Sequence, residues 1–360
     1  MKHLLRLLPF SLIALLAGCG VENLSALDPR GPVAEMQLNL IQLSLYVMIF
    51  VIVVVFSIYT FVLIKFRERP GDTHIPKQVH GNRALEFIWT TIPILLLLIL
   101  AVPNIMDTFT LAETPSMSAT EADGEEGEGQ EGMVEGEDFI TVQATAHQFW
   151  WEFEYPNLDI NAGQDLYIPT DRRVEIVLEA SDVVHSFWVP ALGGKMDNVP
   201  GITNEMWLEA PEEGIYFGKC TELCGASHWL MDFKVVAVDG DTFDVWAANM
   251  AEPDEAVVSG EAAGEAAVEG REVFESNCIS CHAVGDEGSP TGPNFTNFGE
   301  RQVVAGFLEP TDENLHDWIR DPQSLKPDNE MPAFSEDQIS DDEMDALIDY
   351  ITELKVLEED

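Results

Sequence analysis

Basic residues are scarce. The 360-residue sequence holds 18 Lys and Arg against 64 Asp and Glu, a formal net charge of −46. A surface so dominated by one sign repels a polyanion, which excludes a nucleic-acid partner. Cysteine is scarce as well, with five in the sequence, and no internal repeat is evident. Apolar side chains are not lacking. At 46% hydrophobic residues, the chain is no acidic disordered polymer, since such polymers lack the apolar content to fill a core. The two properties coexist because they are segregated: residues 1–112 carry eight basic and seven acidic side chains, residues 113–360 ten and fifty-seven.

The front of the chain describes export and anchoring. Lys2 and Arg6 precede the apolar run Leu7–Leu16 and then Ala17-Gly18-Cys19, the order of a secretory signal. A cysteine directly after Leu-Ala-Gly resembles the bacterial lipobox. That resemblance implies removal of residues 1–18 and lipidation of Cys19; an ordinary signal with a chance cysteine is the alternative. Two apolar runs follow, about 38–64 and 87–106, each long enough to span a bilayer. Pro93 and Pro103 are compatible with membrane helices, where neighbours satisfy the freed carbonyls. Lys65, Arg67, Arg69, Lys77 and Arg83 gather between the runs, which predicts a cytoplasmic loop, with both termini on the periplasmic or outer face of a bacterial plasma membrane.

Residues 113–138 hold almost nothing that could build a core and are expected to be a solvated acidic linker. From Phe139 to about 250, short β-rich segments separated by Pro, Gly and Asp turns predict an antiparallel sandwich. Residues 251–268 form a second expected tether, rich in Ala, Glu and Gly. Residues 269–360 turn helical and end in the amphipathic spacing Met344, Leu347, Ile348, Ile351, Leu354.

The chemistry concentrates in Cys220-Thr-Glu222-Leu-Cys224-Gly-Ala-Ser-His228-Trp-Leu-Met231. Two thiols, an imidazole and a thioether within twelve residues make a soft ligand set, which favours copper over hard cations. A Cys220–Cys224 disulfide is the competing reading in an oxidising compartment, but it gives no reason for the His and Met that follow. Structural zinc would not select Met. His185, in a strand-like segment of the same region, is the candidate second imidazole.

This motif closely resembles the binuclear CuA centre of cytochrome c oxidase subunit II. The resemblance implies two coppers bridged by Cys220 and Cys224, one imidazole each from His185 and His228, and completion by Met231 and the Glu222 carbonyl. It further implies a cupredoxin-like fold, a Mg²⁺ near the Glu222 side chain at the interface with subunit I, and Glu86 at the mouth of a proton channel. An interfacial solvated Glu86 is the alternative, since an acid at a membrane helix end is costly only when unsolvated. His147-Gln-Phe149-Trp150-Trp151 resembles the family's aromatic stretch beside the copper. Its first aromatic is ordinarily a tryptophan that accepts electrons from a soluble cytochrome; here it is Phe149. Trp150 and Trp151 are the candidate substitutes, with core packing as their alternative role and a structural role for His147.

Cys278-Ile-Ser-Cys281-His282 is the c-type haem attachment motif C-x-x-C-H. The two thiols add to the haem and His282 takes one axial position. A Met/His pair raises the potential, and Met331 in Asn-Glu-Met-Pro resembles the sixth-ligand loop of class I cytochromes c; Met344 is the competitor. His316 is expected to be structural. A subunit II with a fused C-terminal cytochrome c is the arrangement of caa-type haem–copper oxidases, and a tethered donor accounts for Phe149.

The fold expected is thus a multidomain membrane protein: a two-helix transmembrane hairpin within residues 19–112, a cupredoxin-like β-sandwich and an all-α class I cytochrome c domain. The function expected is electron delivery from an external donor (a soluble or membrane cytochrome c, or a quinol–cytochrome c reductase) through haem c and CuA to an oxidase with subunits I and III. No residue on the chain is expected to perform the oxygen chemistry. A CuA subunit of a nitric-oxide reductase and a membrane-anchored redox carrier lipoprotein are the alternatives. The acidic outer part attracts a basic donor or adapts exposed surfaces to high salt or extreme pH.

Overall fold

The computed structural model describes residues 23–67, 70–71, 77–78, 80–113, 139–289 and 291–357. The predicted signal with Cys19 and nearly all of the first acidic linker lie outside the described residues. The chain divides into two compact units, Glu35–Ala122 and the remainder.

In the first unit, α1 (Pro32–Lys65) and α2 (Arg83–Ala112) are 34 and 30 residues long. At the α-helical rise they measure about 51 and 45 Å, more than the roughly 30 Å hydrocarbon core. They exceed the apolar runs read from sequence because each helix continues into polar flanks: Glu35 in the first turn of α1, Arg83 and Glu86 at the start of α2. Asn82 starts α2 by accepting from the Ala84 and Leu85 amides at 3.0 and 3.3 Å. Neither Pro93 nor Pro103 interrupts it. Large side chains such as Phe56, Phe61, Leu97 and Phe109 are exposed, and the apolar windows of both helices are unburied. Water does not tolerate such a surface, whereas lipid does.

In the second unit, residues 139–238 form two five-stranded sheets, β3-β2-β1-β5-β8 and β4-β10-β9-β6-β7. The strands are β1 (Ile140–His147), β2 (Trp150–Tyr155), β3 (Ile160–Gly163), β4 (Asp165–Pro169), β5 (Val174–Ala180), β6 (His185–Trp188), β7 (Lys195–Asn198), β8 (Asn204–Leu208), β9 (Gly214–Cys220) and β10 (Asp232–Val238). Strict alternation in β1 and β2 sends Val142, Ala144, Trp151, Phe153 and Tyr155 inward, the period-two pattern of a half-buried strand. Most pairings are antiparallel, as expected. Two are not: β1 lies parallel to β5 and β4 parallel to β10. Parallel neighbours require crossing connections, which strand-by-strand patterning does not reveal. Residues 23–34 pack on this sandwich, with Arg30 N–H donating to the Ala191 carbonyl at 2.7 Å.

The chain then forms α3 (Gly240–Ala251), α4 (Glu255–Val258), α5 (Glu265–Asn277), α6 (Asp312–Arg320), α7 (Pro322–Leu325) and α8 (Asp341–Thr352). The expected tether at 251–268 is structured: α4 lies in it, α5 begins before residue 269, and Val257 and Val258 pack on the haem-domain core. Val257, Val258 and Ala267, within a stretch rich in Ala, Glu and Gly, supply that attachment. The C-terminal domain is also not purely helical, since β11 (Ala283–Val284) and β12 (Glu287–Gly288) form a short ribbon after the Cys-x-x-Cys-His turn.

Helices α5 and α8 cross at close range. A Cβ on Gly270 would stand 1.9 Å from the Ala346 carbonyl oxygen, so only glycine permits the contact. Replacing it with Ala must push the helices apart. Gly270→Ala should destabilise the haem domain by about 1–3 kcal/mol, read as a lower thermal midpoint; an unchanged midpoint would mean the crossing is looser than described.

Candidate metal centre and haem site

The antiparallel pair β9–β10 closes the loop that carries the soft donors. Cys220 ends β9, Asp232 begins β10, and the Cys220 amide donates to the Met231 carbonyl at 3.4 Å. Within the loop a single 3₁₀ turn, His228–Leu230, returns the chain. Strand β6 runs beside β9, with Phe187 opposite Cys220, and so delivers His185 from a distant part of the sequence.

The predicted ligands converge. Cys220 Sγ and Cys224 Sγ are 3.9 Å apart, with His185 Nδ1 3.9 Å from the first and His228 Nδ1 3.5 Å from the second. Met231 Sδ lies 3.9 Å from Cys224 Sγ, and the Glu222 carbonyl oxygen 3.4 Å from Cys220 Sγ. His185, Cys220, Cys224 and Met231 are buried, while His228 is half-buried. Both cysteines are free, and their spacing is far from the roughly 2 Å of a disulfide bond. The thiols behave as a coupled pair: Cys220 is held low by its hydrogen bond with Cys224, and Cys224 is pushed up by the same interaction. Buried soft donors that all point at one another, without a disulfide to consume them, fit a copper centre.

A residue not singled out from sequence orients this set. Asp182 Oδ1 is 2.7 Å from His185 Nε2, which leaves Nδ1 facing the sulfurs. The carboxylate fixes the ring and its tautomer, as outer partners of metal-binding imidazoles do. Its signal in sequence was only its position three residues before the histidine. Gln148 is a second such residue, donating from Nε2 to the Cys224 carbonyl.

The haem motif lines a cavity of about 400 Å³ that includes Cys278, Cys281, His282 and Met331. His282 Nδ1 is 2.9 Å from the Pro293 carbonyl. Burial holds this imidazole down to about 4, against the smaller opposing effect of that bond. The ring is therefore neutral, Nδ1–H donates, and Nε2 is left for a metal. Burial likewise pushes the Cys278 thiol up to about 12. Met344 is fully buried on α8 and His316 is half-buried beside Asp317 and Asp341, and neither lines the cavity. A mainly apolar, partly open cavity that brings the His282 imidazole, the Met331 thioether and the Cys278 and Cys281 thiols together fits haem c.

The aromatic stretch divides between the two sites. Phe149 and Trp150 line the haem cavity, with Trp150 stacked on His147 at 4.3 Å between ring centroids. Trp151 is fully buried below the copper loop, and its Nε1–H donates to the Met231 carbonyl at 3.3 Å. Glu86 is exposed in the first turn of α2, where the helix dipole favours an acid.

A membrane-anchored sandwich with a soft-metal loop, joined to a c-type haem cavity, defines a multicentre electron-transfer protein. Three family models match it: "Cytochrome C oxidase subunit II, transmembrane domain" over residues 23–106, "Cytochrome C oxidase subunit II, periplasmic domain" over 159–238, and "Cytochrome c" over 267–355. The chain is 52% identical over 360 residues to "Cytochrome c oxidase subunit 2" of Alkalihalophilus pseudofirmus, covering 98% of both chains. It is 45% identical to the protein of that name from Bacillus sp. strain PS3, covering 96% of both. The periplasmic domain of subunit II of cytochrome oxidase from Bradyrhizobium japonicum is 28% identical, with a TM-score of 0.31, over 33% of this chain and 96% of that one. The chain belongs to the cytochrome c oxidase subunit II family, in its form with a fused cytochrome c domain, and is a component of that oxidase. The nitric-oxide reductase and free-standing carrier alternatives gain no support from these matches. The family brings copper CuA to the sandwich and haem c to the C-terminal domain.

Asp182 gives this site a direct test. Asp182→Ala should lower copper affinity by about 10–100-fold, measured by competitive chelation on the full chain, with the haem c spectrum unchanged. Equal affinities would show that His185 is oriented without it.

Proposed function

We propose that this chain relays electrons one at a time from an external donor to oxidase subunit I. The observation that carries the proposal is the presence, in one folded unit, of six converging donor atoms around Cys220 and Cys224 and of a haem-sized cavity around Cys278, Cys281 and His282. When bound, the copper pair and the haem supply one-electron carriers. His185, Cys220, Cys224, His228, Met231 and the Glu222 carbonyl would hold two coppers. Cys278 and Cys281 would anchor the haem covalently, and His282 and Met331 would bind its iron.

What the residues contribute is rigidity. Both ligand segments are held by the protein's own contacts: Asp182 holds His185, Pro293 holds His282, and the β9–β10 pairing with the Cys220–Met231 backbone bond holds the copper loop. Donor atoms that do not move between oxidation states keep reorganisation small. The sandwich core of Trp151, Phe187 and Phe233, with centroids 4.7–5.7 Å apart, packs beneath the copper loop and closes its inner side.

Several finer assignments belong to this proposal. The Glu222 side chain contributes to a Mg²⁺ site facing subunit I, and subunit III completes the partners. A cytochrome c or a quinol–cytochrome c reductase donates electrons. Glu86 serves the mouth of a proton channel, supported by its place at the start of a membrane helix. Lys65, Arg67, Lys77 and Arg83 favour a cytoplasmic loop between the helices, both termini on the opposite side, and Cys19 as a lipid anchor.

The complex purified through this chain should carry a-type haem as well as haem c in its visible spectrum; haem c alone would contradict the proposal. Cys220→Ser and Cys224→Ser should each abolish the near-infrared copper band and leave the haem c spectrum intact. A surviving band would displace the ligand assignment.

A further inference from the structure

Residues 113–360 contain ten basic side chains, and four of them, Lys234, Arg271, Arg301 and Lys326, are buried. Two of the four stand where the sandwich meets the haem domain. Burying a cation is costly unless its partners are well placed, so these positions have partners that define the seam. Lys326, 3% exposed, donates from Nζ to the Phe149 carbonyl of the sandwich at 2.6 Å and to the Ala305 carbonyl of the haem domain at 2.6 Å. Arg301 donates to the Asn294 carbonyl and is attracted to buried Asp165 on β4. Ser227, beside His228, donates to the Pro327 carbonyl at 2.6 Å.

Shape supports the same seat. A Cβ on Gly163 at the end of β3 would lie 2.8 Å from Pro293 Cβ, so the absent side chain is the notch that admits Pro293. Pro293 is the residue whose carbonyl faces His282 Nδ1. One wall of the haem cavity is accordingly built by the sandwich, from Phe149, Trp150 and Gln164 among others.

A continuous chain of short polar contacts crosses the seam. The Met331 amide donates to Asn329 Oδ1 at 2.8 Å, Asn329 Nδ2 donates to the Lys326 carbonyl at 2.5 Å, and Lys326 Nζ reaches the Phe149 carbonyl. From Phe149 the backbone leads to Gln148, whose Nε2 donates to the Cys224 carbonyl. The one link that crosses, Lys326 to Phe149, thus connects the segment bearing Met331, a haem-side candidate ligand, to the one bearing Cys224, a copper-side candidate.

We propose that the haem domain transfers electrons from this fixed seat on the sandwich, and that Lys326 is the positioning residue that ties the Met331 segment to Gln148–Phe149. The inference rests on the electron relay proposed above. With both groups bound, each event would oxidise haem c and reduce CuA by one electron, with no bond made or broken. The face bearing Phe149 is occupied by the haem domain itself, which leaves no role for a separate cytochrome at that point. Burial pushes the Lys326 ammonium down to about 7, with Asp232 and Cys224 opposing the shift.

The test uses the whole oxidase complex with haem c photoreduced in place. In the unaltered complex, the rate of internal transfer to copper should be independent of solvent viscosity and of salt. A rate that falls as viscosity rises would overturn the fixed seat, because it would require a domain that travels on its tether. Lys326→Met should slow internal transfer by about tenfold or more, as misplacement by roughly 1 Å does in other reactions, and make it viscosity-dependent. The near-infrared copper band, the haem c spectrum and both potentials should stay as they were, while hydrogen exchange rises over residues 147–150 and 326–331. Unchanged transfer with both bands intact would remove Lys326 from the role. Should the variant lose either band, the viscosity series on the unaltered complex decides the proposal. Absence of the copper or haem bands from the unaltered complex would instead defeat the underlying relay.

Discussion

The β9–β10 pairing closes a twelve-residue loop on itself, and the metal chemistry of this chain depends on that closure. Cys220 and Met231 are brought together by backbone hydrogen bonding. Between them the 3₁₀ turn at His228–Leu230 sets Nδ1 of His228 toward Cys224 Sγ. The last member, His185, comes from β6, the neighbour of β9 on its other side. A sheet that fixes three consecutive positions in space can hold donors that would otherwise be mobile thiols and imidazoles. The oriented donors then need little rearrangement, which is the property an electron carrier requires and a catalytic metal site, with its open coordination position, does not.

The haem side obeys the same constraint by different means. It has no large sheet to draw on, so the tight α5–α8 crossing at Gly270 supplies the frame, and the Pro293 carbonyl fixes the imidazole. Phe274, Phe295 and Phe298 stack in sequence beside His282, with adjacent centroids 4.6 to 5.8 Å apart, and keep the cavity apolar. The haem domain joins the sandwich through buried cations and a glycine notch, together with Val356 and Leu357, which pack on the sandwich core. In a chain this acidic, that choice is consistent: basic side chains are few, and burying them at a seam gives each a defined set of partners.

Much of this architecture was legible in the sequence for a physical reason. Ligand loops, membrane helices and haem attachment are local features: Cys220 to Met231 and Cys278 to His282 declare themselves within a dozen residues, and apolar runs of membrane length have few other uses. What was not legible is what depends on pairing between distant segments. The parallel β1–β5 and β4–β10 neighbours are examples. Lys326 is another: it bonds a carbonyl 177 residues away, and in sequence it resembles any solvated lysine before a proline. Asp182 was visible only as an acid near a histidine. The expected tether at 251–268 is docked instead, because composition averages over the few side chains that attach it, Val257, Val258 and Ala267 among them.

The central claim is that haem and copper domains form one rigid relay. Pulsed electron paramagnetic resonance on the frozen, oxidised complex reports the separation between the haem c iron and the copper centre as a distribution. The account predicts one narrow peak that is the same at low and high salt. A broad distribution, or two populations that exchange weight with salt, would contradict it.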